Sequence, residues 1–208
     1  IKGTVESLMW YTPDFEAVNS TLPKVNYYKM LETITIRDNW SMENANFVGF
    51  HVGANGISHS HLDMGSFVLD MNGKRFALDL GQGDYDSSGG NYRYMYSAEG
   101  HNTWVINPDS TYTQNSTAFC RISAYGYNDE SAYAISDISE AYEDKIRHIK
   151  RGVMTTEGNS VFVVQDELDN GNIPFEGYWQ MHTTADINIL EGGKQAVLTI
   201  GNDCVLVT

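Results

Sequence analysis

Short strand-like runs separated by polar turns are the feature that most restricts the fold of this chain. After residue 102, apolar and β-branched residues repeatedly form brief runs, and polar pairs such as Gly158-Asn159 and Gly192-Gly193 separate them. Many short strands at this spacing are typical of an antiparallel β-sandwich. Only residues 138–145 could hold a turn of helix, so the predicted fold class is all-β. The predicted strands are 102–107, 117–127, 131–138, 146–156, 160–168, 175–183, 185–190, 195–200 and 203–207.

The first hundred residues add two strands and a hairpin. Residues 27–40 alternate between two faces and predict one strand, and the apolar run 47–52 predicts a second. Within residues 65–80, Asn72-Gly73 lies between two apolar runs, which is the strongest short-range signal for a type I′ hairpin turn. These elements fit the same sandwich as the strands that follow.

The length of the chain, 208 residues, suits one sizeable β domain or two small ones. Because no linker, repeat or low-complexity segment divides it, we expect one domain over residues 1–208, with an irregular lead-in at 1–26. No run is long enough to span a bilayer, and the start lacks the pattern of a signal peptide. The first residue is Ile1 and the last residues form an interrupted strand, so we interpret the chain as a piece of a longer protein.

The formal net charge of −14 argues against nucleic acid as a partner. An acidic surface also repels an acidic polysaccharide at long range, so such a substrate would need a local basic patch. The candidate cations for this patch are Arg75, Arg93, Arg121, Arg147, Lys150 and Arg151.

The two cysteines, Cys120 and Cys204, both lie in apolar strand-like runs. This placement favours two buried thiols over a disulfide. Neither residue has the spacing of a metal or redox motif, so the cysteines indicate little about function.

Histidines concentrate around the predicted hairpin, and a carboxylate accompanies them. If residues 58–67 begin as a strand, His59 and His61 point to the same face, because alternate residues of a strand share a face. Asp79 follows on the returning strand, and His101 comes later in the chain. Neutral imidazoles and a carboxylate suit zinc better than other divalent ions. The pattern therefore predicts a metal site.

Other polar residues near this cluster are interpreted more simply. Asp63 and Asn102 are the nearest candidates to fix the ring tautomers of metal-binding histidines from outside the ligand set. The remaining histidines, His51, His148 and His182, are interpreted as hydrogen-bonded structural residues.

The same segments, in the same order, resemble a known family. Over nearly its whole length the sequence is similar to the C-terminal half of heparinase II/III-type polysaccharide lyases, and the His-x-His and His-Asn-Thr segments are the most specific part of the match. The segments that carry the resemblance are 59–67, 76–81, Tyr85 and 98–103, with weaker matches at 37–40, 151–153, 164–168 and 179–182.

This resemblance implies an architecture and an activity. Family members have an N-terminal (α/α) toroid followed by an antiparallel β-sandwich of the supersandwich type, with the active site in the cleft between the two domains. They cleave uronic-acid-containing polysaccharides by β-elimination. The toroid, absent from these residues, carries the principal catalytic tyrosine and its asparagine or histidine partner. The chain would therefore supply half of a site and, by itself, show no lyase activity.

The resemblance also implies roles for individual residues. The zinc ligands would be His61, Asp79 and His101, while His59 would face the substrate and take part in acid–base chemistry or carboxylate neutralisation. A tyrosine in the loop after the hairpin lines the cleft in such proteins, and Tyr85 and Tyr92 are the two candidates here.

Several expectations follow for the parent protein. Its substrate would be an acidic polysaccharide, either heparin- or heparan-sulfate-like or alginate-like, and its location would be periplasmic or extracellular. The segment 92–96 is interpreted either as a sugar platform, with Arg93 binding a substrate carboxylate or sulfate, or as an alternating strand edge.

Two other functions remain open from the sequence. Gly53 followed by His59-Ser60-His61 reproduces the start of the cupin metal-enzyme pattern, although Gly65 and Ser66 stand where a glutamate should follow. A non-catalytic carbohydrate-binding or structural β-sandwich, with tyrosines stacking on sugars and a metal ion as a staple, is the other alternative.

Overall fold

A computed structural model describes residues 22–41, 43–83, 91–108 and 113–208 of the chain. Most of the described residues lie in antiparallel strands and the turns that join them. One short helix, α1 (Asn91–Tyr96), and the 3-10 turns Ala98–Gly100, Ser139–Tyr142 and Glu191–Gly193 complete the described secondary structure. The strands are β1 (Val25–Tyr28), β2 (Thr33–Arg37), β3 (Phe47–His51), β4 (Phe67–Met71), β5 (Lys74–Ala77), β6 (Trp104–Ile106), β7 (Ile122–Tyr127), β8 (Ala132–Asp137), β9 (His148–Thr156), β10 (Val161–Asp169), β11 (Gly177–Trp179), β12 (Asp186–Leu190), β13 (Gln195–Ile200) and β14 (Asp203–Val207).

Two antiparallel sheets form the sandwich. The first has the strand order β1-β2-β3-β4-β5, and the second has the order β10-β9-β8-β7. Alternate side chains of both sheets are buried in one hydrophobic cluster, to which Ile34 and Phe50 contribute from the first sheet and Ala134 and Ile149 from the second. Two smaller units, the pair β11-β6 and the meander β12-β13-β14, lie beside them. The prediction of an all-β sandwich is confirmed.

The strongest local signals identified their elements correctly. The hairpin β4-β5 turns at Asn72 and Gly73, whose φ angles are 50° and 70°, as a type I′ turn requires. A Cβ on Gly73 would lie 2.3 Å from the carbonyl oxygen of Glu43, so a side chain has no room there. The predicted strands 195–200 and 203–207 coincide with β13 and β14.

The prediction of one strand over residues 27–40 is wrong. The chain turns between β1 and β2 at Glu32, which has a φ of 48° and is only 3% exposed. Its carboxylate accepts hydrogen bonds from the hydroxyl of Tyr27 and from the backbone N–H of Ile122, at 3.0 Å in the second case. Burial, followed by the hydrogen bond to this carboxylate, raises the pKa of Tyr27 to about 12. A polar residue in the alternating pattern thus closes a turn and joins the two sheets.

Two further expectations need correction. Cys120 is buried as expected, but Cys204 is exposed on β14, and both are free thiols. Five of the six candidate cations lie beside carboxylates, so they do not form a positive patch. These pairs are Arg75–Asp70, Arg121–Glu32, Arg147–Asp169, Lys150–Glu167 and Arg151–Asp166.

Only the described part of the chain bears on the expected lead-in and on the question of a membrane span. Residues 1–21 of the expected lead-in lie outside the described residues, and β1 already begins within its last part. Among the described segments, no helix has both the length and the apolar character needed to cross a bilayer.

A buried ion pair connects the second sheet to the loops above it. Arg151 on β9 is fully buried, and its guanidinium donates to both carboxylate oxygens of Asp166 on β10 at 2.7 and 2.9 Å. The remaining nitrogen, Nη1, donates to the carbonyl oxygens of Gly65 and Asn102 at 2.8 and 3.0 Å. Gly65 has a φ of +84°, and a Cβ there would lie 2.9 Å from Cδ1 of Ile138. A side chain at position 65 would therefore be strained and would clash with Ile138.

This pair gives a stability prediction. We expect Asp166→Ala to lower the free energy of unfolding by about 3–5 kcal/mol, because it leaves the guanidinium of Arg151 buried without its counter-ion. Glu167→Ala, which removes the exposed partner of Lys150 on the same strand, should change it by less than about 1 kcal/mol. Urea denaturation of the two variants measures the difference, and equal destabilisation would contradict the prediction.

Candidate functional site

The segment that carries His59 and His61 is a series of turns between β3 and β4. His59 has a φ of 64°, and the hydroxyl of Ser60 donates to the carbonyl oxygens of Asn55 and Ile57 at 2.5 and 2.7 Å. The prediction that these histidines lie on a strand is wrong, because serine side chains compete with strand pairing by binding nearby carbonyls. Both histidines nevertheless line the same cleft.

A buried amide supports this turn segment from below. Gln114 is 2% exposed, and its side chain donates to the carbonyl oxygen of Met64 and to the hydroxyl of Tyr142, both at 2.9 Å. Its Oε1 accepts from the backbone N–H of Met64 at 3.1 Å and from the Asn55 amide at 3.0 Å. Both ends of the histidine segment are therefore held by one side chain, which the sequence analysis did not identify.

The three predicted metal ligands lie next to one another. Nδ1 of His101 is 2.7 Å from Oδ2 of Asp79, and the rings of His61 and His101 have centroids 5.2 Å apart. His101 is 1% exposed, and its Nε2 is buried without a hydrogen-bond partner among the described residues. Asp79 uses its other oxygen, Oδ1, to accept from the backbone N–H of Gly81 at 2.7 Å. Within the described residues, no three His, Cys, Asp or Glu side chains already stand in a coordinating arrangement.

The electrostatics of the cluster favour the protonation states that bind cations. Burial lowers the pKa of His61, and the neighbouring His101 lowers it further. Burial alone would raise the pKa of Asp79, but the hydrogen bond and charge of His101 and the N–H of Gly81 outweigh it and hold the pKa below its usual value. At neutral pH His61 is thus neutral and Asp79 ionised, as metal ligation requires.

An open cleft of about 350 Å³ lies in front of this cluster. Of the predicted substrate-facing residues, His59 and Tyr92 line it. Arg93 is exposed on the same helix as Tyr92, outside the described lining of the cleft. Tyr85 lies outside the described residues. The lining residues include Asn55, His59, His61, Gln82, Tyr92 and Tyr96.

Helix α1 forms one wall of the cleft, so the interpretation of residues 92–96 as a strand edge is wrong. Tyr92 and Tyr96, which are four residues apart and on one side of the helix, stack with centroids 5.8 Å apart and an interplanar angle of 15°. Tyr96 meets the ring of His61 edge-on at 5.9 Å, and its carbonyl oxygen accepts from the N–H of Leu62 at 2.8 Å. The helix and the histidine segment thus support each other directly.

Asn102 and His182 form a second support behind the cluster. The Asn102 amide donates to the carbonyl oxygens of Phe67 and Leu78 at 2.7 and 3.0 Å, and its Oδ1 accepts from the backbone N–H of His182 at 2.6 Å. Burial, and then the charge of His101, lowers the pKa of His182. His182 was interpreted as structural, and its position in the weakly matching segment 179–182 was the only signal of its proximity. Asp63 lies beside His51, at 3.8 Å, and its charge also acts on His61, whose pKa it raises against the larger effect of burial.

Comparisons with known proteins identify the same fold. A family model described as Heparinase II/III-like, C-terminal matches residues 21–207. Heparan sulfate lyase HepC from Pedobacter heparinus superposes with a TM-score of 0.70 at 15% identity, covering 86% of this chain and 27% of that chain. A HepC mutant gives 0.71 at 15% identity, with 92% and 28% covered. A heparinase III structure gives 0.67 at 16% identity, with 86% and 28% covered. No curated protein matches the sequence. The chain thus spans less than a third of each of these structures.

The support from Gln114 gives a second stability prediction. We expect Gln114→Leu to lower the free energy of unfolding by about 1–3 kcal/mol, because the buried N–H of Met64 loses its acceptor and the Asn55 amide and the Tyr142 hydroxyl each lose one hydrogen bond. Gln165→Leu, on the exposed face of β10, is the matched control and should have little effect. Chemical denaturation measures both. Equal stability of Gln114→Leu and the unmodified protein would show that the amide does not hold the histidine segment.

Proposed function

Because this chain belongs to the heparinase II/III-like C-terminal family, we propose that it is the β-sandwich part of a polysaccharide lyase. The enzyme would cleave a uronic-acid-containing polysaccharide, heparin- or heparan-sulfate-like or alginate-like, by β-elimination. The observation that carries the proposal is one cleft in which His59 and two tyrosines lie in front of the neighbouring imidazoles of His61 and His101 and an ionised Asp79. One structural relative is a heparan sulfate lyase, which supports this substrate class.

The chemistry explains why these residue types meet here. Removing the proton at C5 of a uronate is difficult because the adjacent carboxylate is already negative, so the transition state needs positive or hydrogen-bonding groups around it. His59 would donate a hydrogen bond to that carboxylate or take up the C5 proton. Histidine suits both tasks near neutral pH. The hydroxyl of Tyr92 would donate a hydrogen bond to the substrate from the wall of the cleft, and Tyr85 remains the alternative tyrosine.

We also propose that the cluster behind His59 binds zinc or another divalent ion. The donor set fits an ion. The pKa of His61 is lowered, which favours its neutral imidazole, and Nε2 of His101 is buried and lacks a partner among the described residues. When bound, the ion would lock the turn segment and the loop that present His59, without touching sugar. Asp79 accepts from Nδ1–H of His101 and would thereby hold His101 in the tautomer whose Nε2 can bind an ion. Each oxygen of Asp79 keeps a second lone pair that could also bind the ion.

The proposal requires a partner domain. The chain spans 27–28% of the length of the structures it matches, and the proposed lyase needs a toroid in the same parent chain to complete the cleft. A polysaccharide substrate of this kind places the parent protein in the periplasm or outside the cell. The negative net charge of −14 makes long-range attraction of an acidic polysaccharide unfavourable, so binding must come from groups in the cleft and on the partner domain.

Metal binding is directly testable. Elemental analysis of the purified protein should find about one zinc ion per chain, and His61→Ala should abolish it because the ion loses an imidazole ligand. His148→Ala, which removes an exposed histidine beside Asp137, should leave the metal content unchanged. Absence of stoichiometric metal from the unmodified protein, or retention of it in His61→Ala, would contradict the metal proposal.

Activity tests the lyase proposal. The full-length protein should release unsaturated uronates from at least one member of a panel of uronans, detected by ultraviolet absorbance. His59→Ala should lower kcat by about 10²- to 10⁴-fold, the usual contribution of a proton-transferring side chain.

The His148→Ala variant is the control for this assay, and the 208-residue chain alone should be inactive. Binding of uronans by the full-length protein without any unsaturated product would replace the proposal with a carbohydrate-binding function. Activity of the chain alone would show that no partner domain is needed.

A further inference from the structure

A hydrogen-bonded pair of side chains joins helix α1 to the segment that follows β11. The hydroxyl of Tyr94 lies 3.3 Å from Nε2 of His182, and the two rings meet edge-to-face with centroids 6.3 Å apart and an interplanar angle of 85°. The contact spans 88 residues of sequence. It lies outside the described lining of the cleft, so the proposed chemistry does not use it directly.

The surroundings of His182 determine the direction of this hydrogen bond. Two carbonyl oxygens accept from the Asn102 amide nitrogen, so the oxygen Oδ1 must be the atom that faces His182. Oδ1 lies 3.2 Å from Nδ1 of His182 and can only accept, so Nδ1 carries the proton. In the neutral ring Nε2 is then an acceptor, and the Tyr94 hydroxyl donates to it.

The position of His182 is itself fixed. Its backbone N–H donates to Asn102 at 2.6 Å, and its carbonyl oxygen accepts from the N–H of Leu78 at 2.9 Å. Leu78 precedes Asp79, and Asn102 follows His101. The acceptor offered to Tyr94 is therefore built on the same backbone that holds the proposed metal ligands.

Helix α1 depends on such contacts because it is too short to be stable alone. It has six residues, whereas isolated helices shorter than about 12–15 residues are marginal in water. Tyr92 and Tyr96 face the cleft, and Tyr94, two positions from each, lies on the opposite side of the helix. Contacts with His61 and Leu62 hold the cleft side, and the contact with His182 holds the other.

We propose that Tyr94 and His182 are positioning residues, which together hold helix α1 so that Tyr92 and Tyr96 stay in the cleft. A role of the pair in catalysis rests on the proposed lyase function. Its role in holding Tyr92 and Tyr96 in place does not depend on that function. Neither residue touches substrate in this proposal.

The first test is kinetic and uses the full-length protein. Tyr94→Phe removes one hydroxyl and keeps the ring, and we expect kcat/KM on the cleaved uronan to fall about 3- to 10-fold, as the loss of one hydrogen bond predicts. His182→Leu should cause a similar loss, while His182→Gln, which offers an oxygen to Tyr94, should restore part of it. The double variant Tyr94→Phe/His182→Leu should lose no more than the stronger single variant, because the two residues act as one unit.

Tyr133→Phe is the matched control, because it removes a hydroxyl from a partly exposed tyrosine on the second sheet, away from the cleft. It should leave kcat/KM within about twofold of the unmodified protein. A Tyr94→Phe variant as active as Tyr133→Phe would overturn the proposal. A similar loss in His182→Gln and His182→Leu would also overturn it, because it would indicate a general packing role.

The second test does not depend on activity. In full-length protein labelled with ¹⁵N-histidine and ring-¹³C tyrosine, Tyr94→Phe should shift the Nε2 signal of His182 and the ring signals of Tyr92 and Tyr96, and Tyr133→Phe should not. If no uronan is cleaved, the lyase proposal fails while these shifts still support the positioning pair. Unchanged Tyr92 and Tyr96 signals in Tyr94→Phe would overturn it.

Discussion

The candidate site depends on the hydrogen bonds made by the buried guanidinium of Arg151. It is fully buried, and its cost of burial is offset by two hydrogen bonds to Asp166 and by two backbone carbonyls. Those carbonyls belong to Gly65, at the end of the histidine segment, and to Asn102, beside His101. One side chain of the second sheet therefore fixes both loops from which His59, His61 and His101 project. The rigid sandwich thereby determines the spacing of residues that lie on irregular backbone.

Most of the candidate cations on the sandwich are neutralised by neighbouring carboxylates. Five candidate cations lie beside carboxylates, and the chain carries a net charge of −14. The cleft differs from this surface, because its cluster combines a neutral His61 and the neighbouring His101 with one ionised aspartate. A divalent ion bound there would add positive charge behind His59, which faces the proposed substrate carboxylate.

Local sequence signals identified the elements whose cause is local. The Asn72-Gly73 turn and the strands β13 and β14 need only their own residues and immediate neighbours, and they occur where predicted. The turn at Glu32 depends on an N–H 90 residues away, so an alternating pattern could not reveal it. Tyrosine-rich residues 92–96 favour a strand by propensity, but stacking of Tyr92 on Tyr96 and contacts with distant loops stabilise a helix instead.

The same distinction applies to the candidate site. The His-x-His and His-Asn-Thr segments led to His61 and His101, and the returning strand of the hairpin led to Asp79; the three side chains lie side by side. Gln114 was not identified, and His182 was interpreted only as a hydrogen-bonded structural residue. A single amide or imidazole has no periodicity, and their partners, Met64 and Asn102, are 50 and 80 residues distant. Their roles follow from tertiary contacts alone.

The long-range contacts of Arg151 affect how the chain folds during synthesis. Its contacts with Gly65 and Asn102 close loops of 86 and 49 residues, and contacts of such long range form late because the chain entropy must be lost first. A nascent chain that has emerged only as far as β8 already contains every proposed metal ligand, but it lacks the side chain that sets their spacing. A divalent ion captured at that stage would meet histidines whose spacing is not yet set, so the proposed metal binding would follow folding.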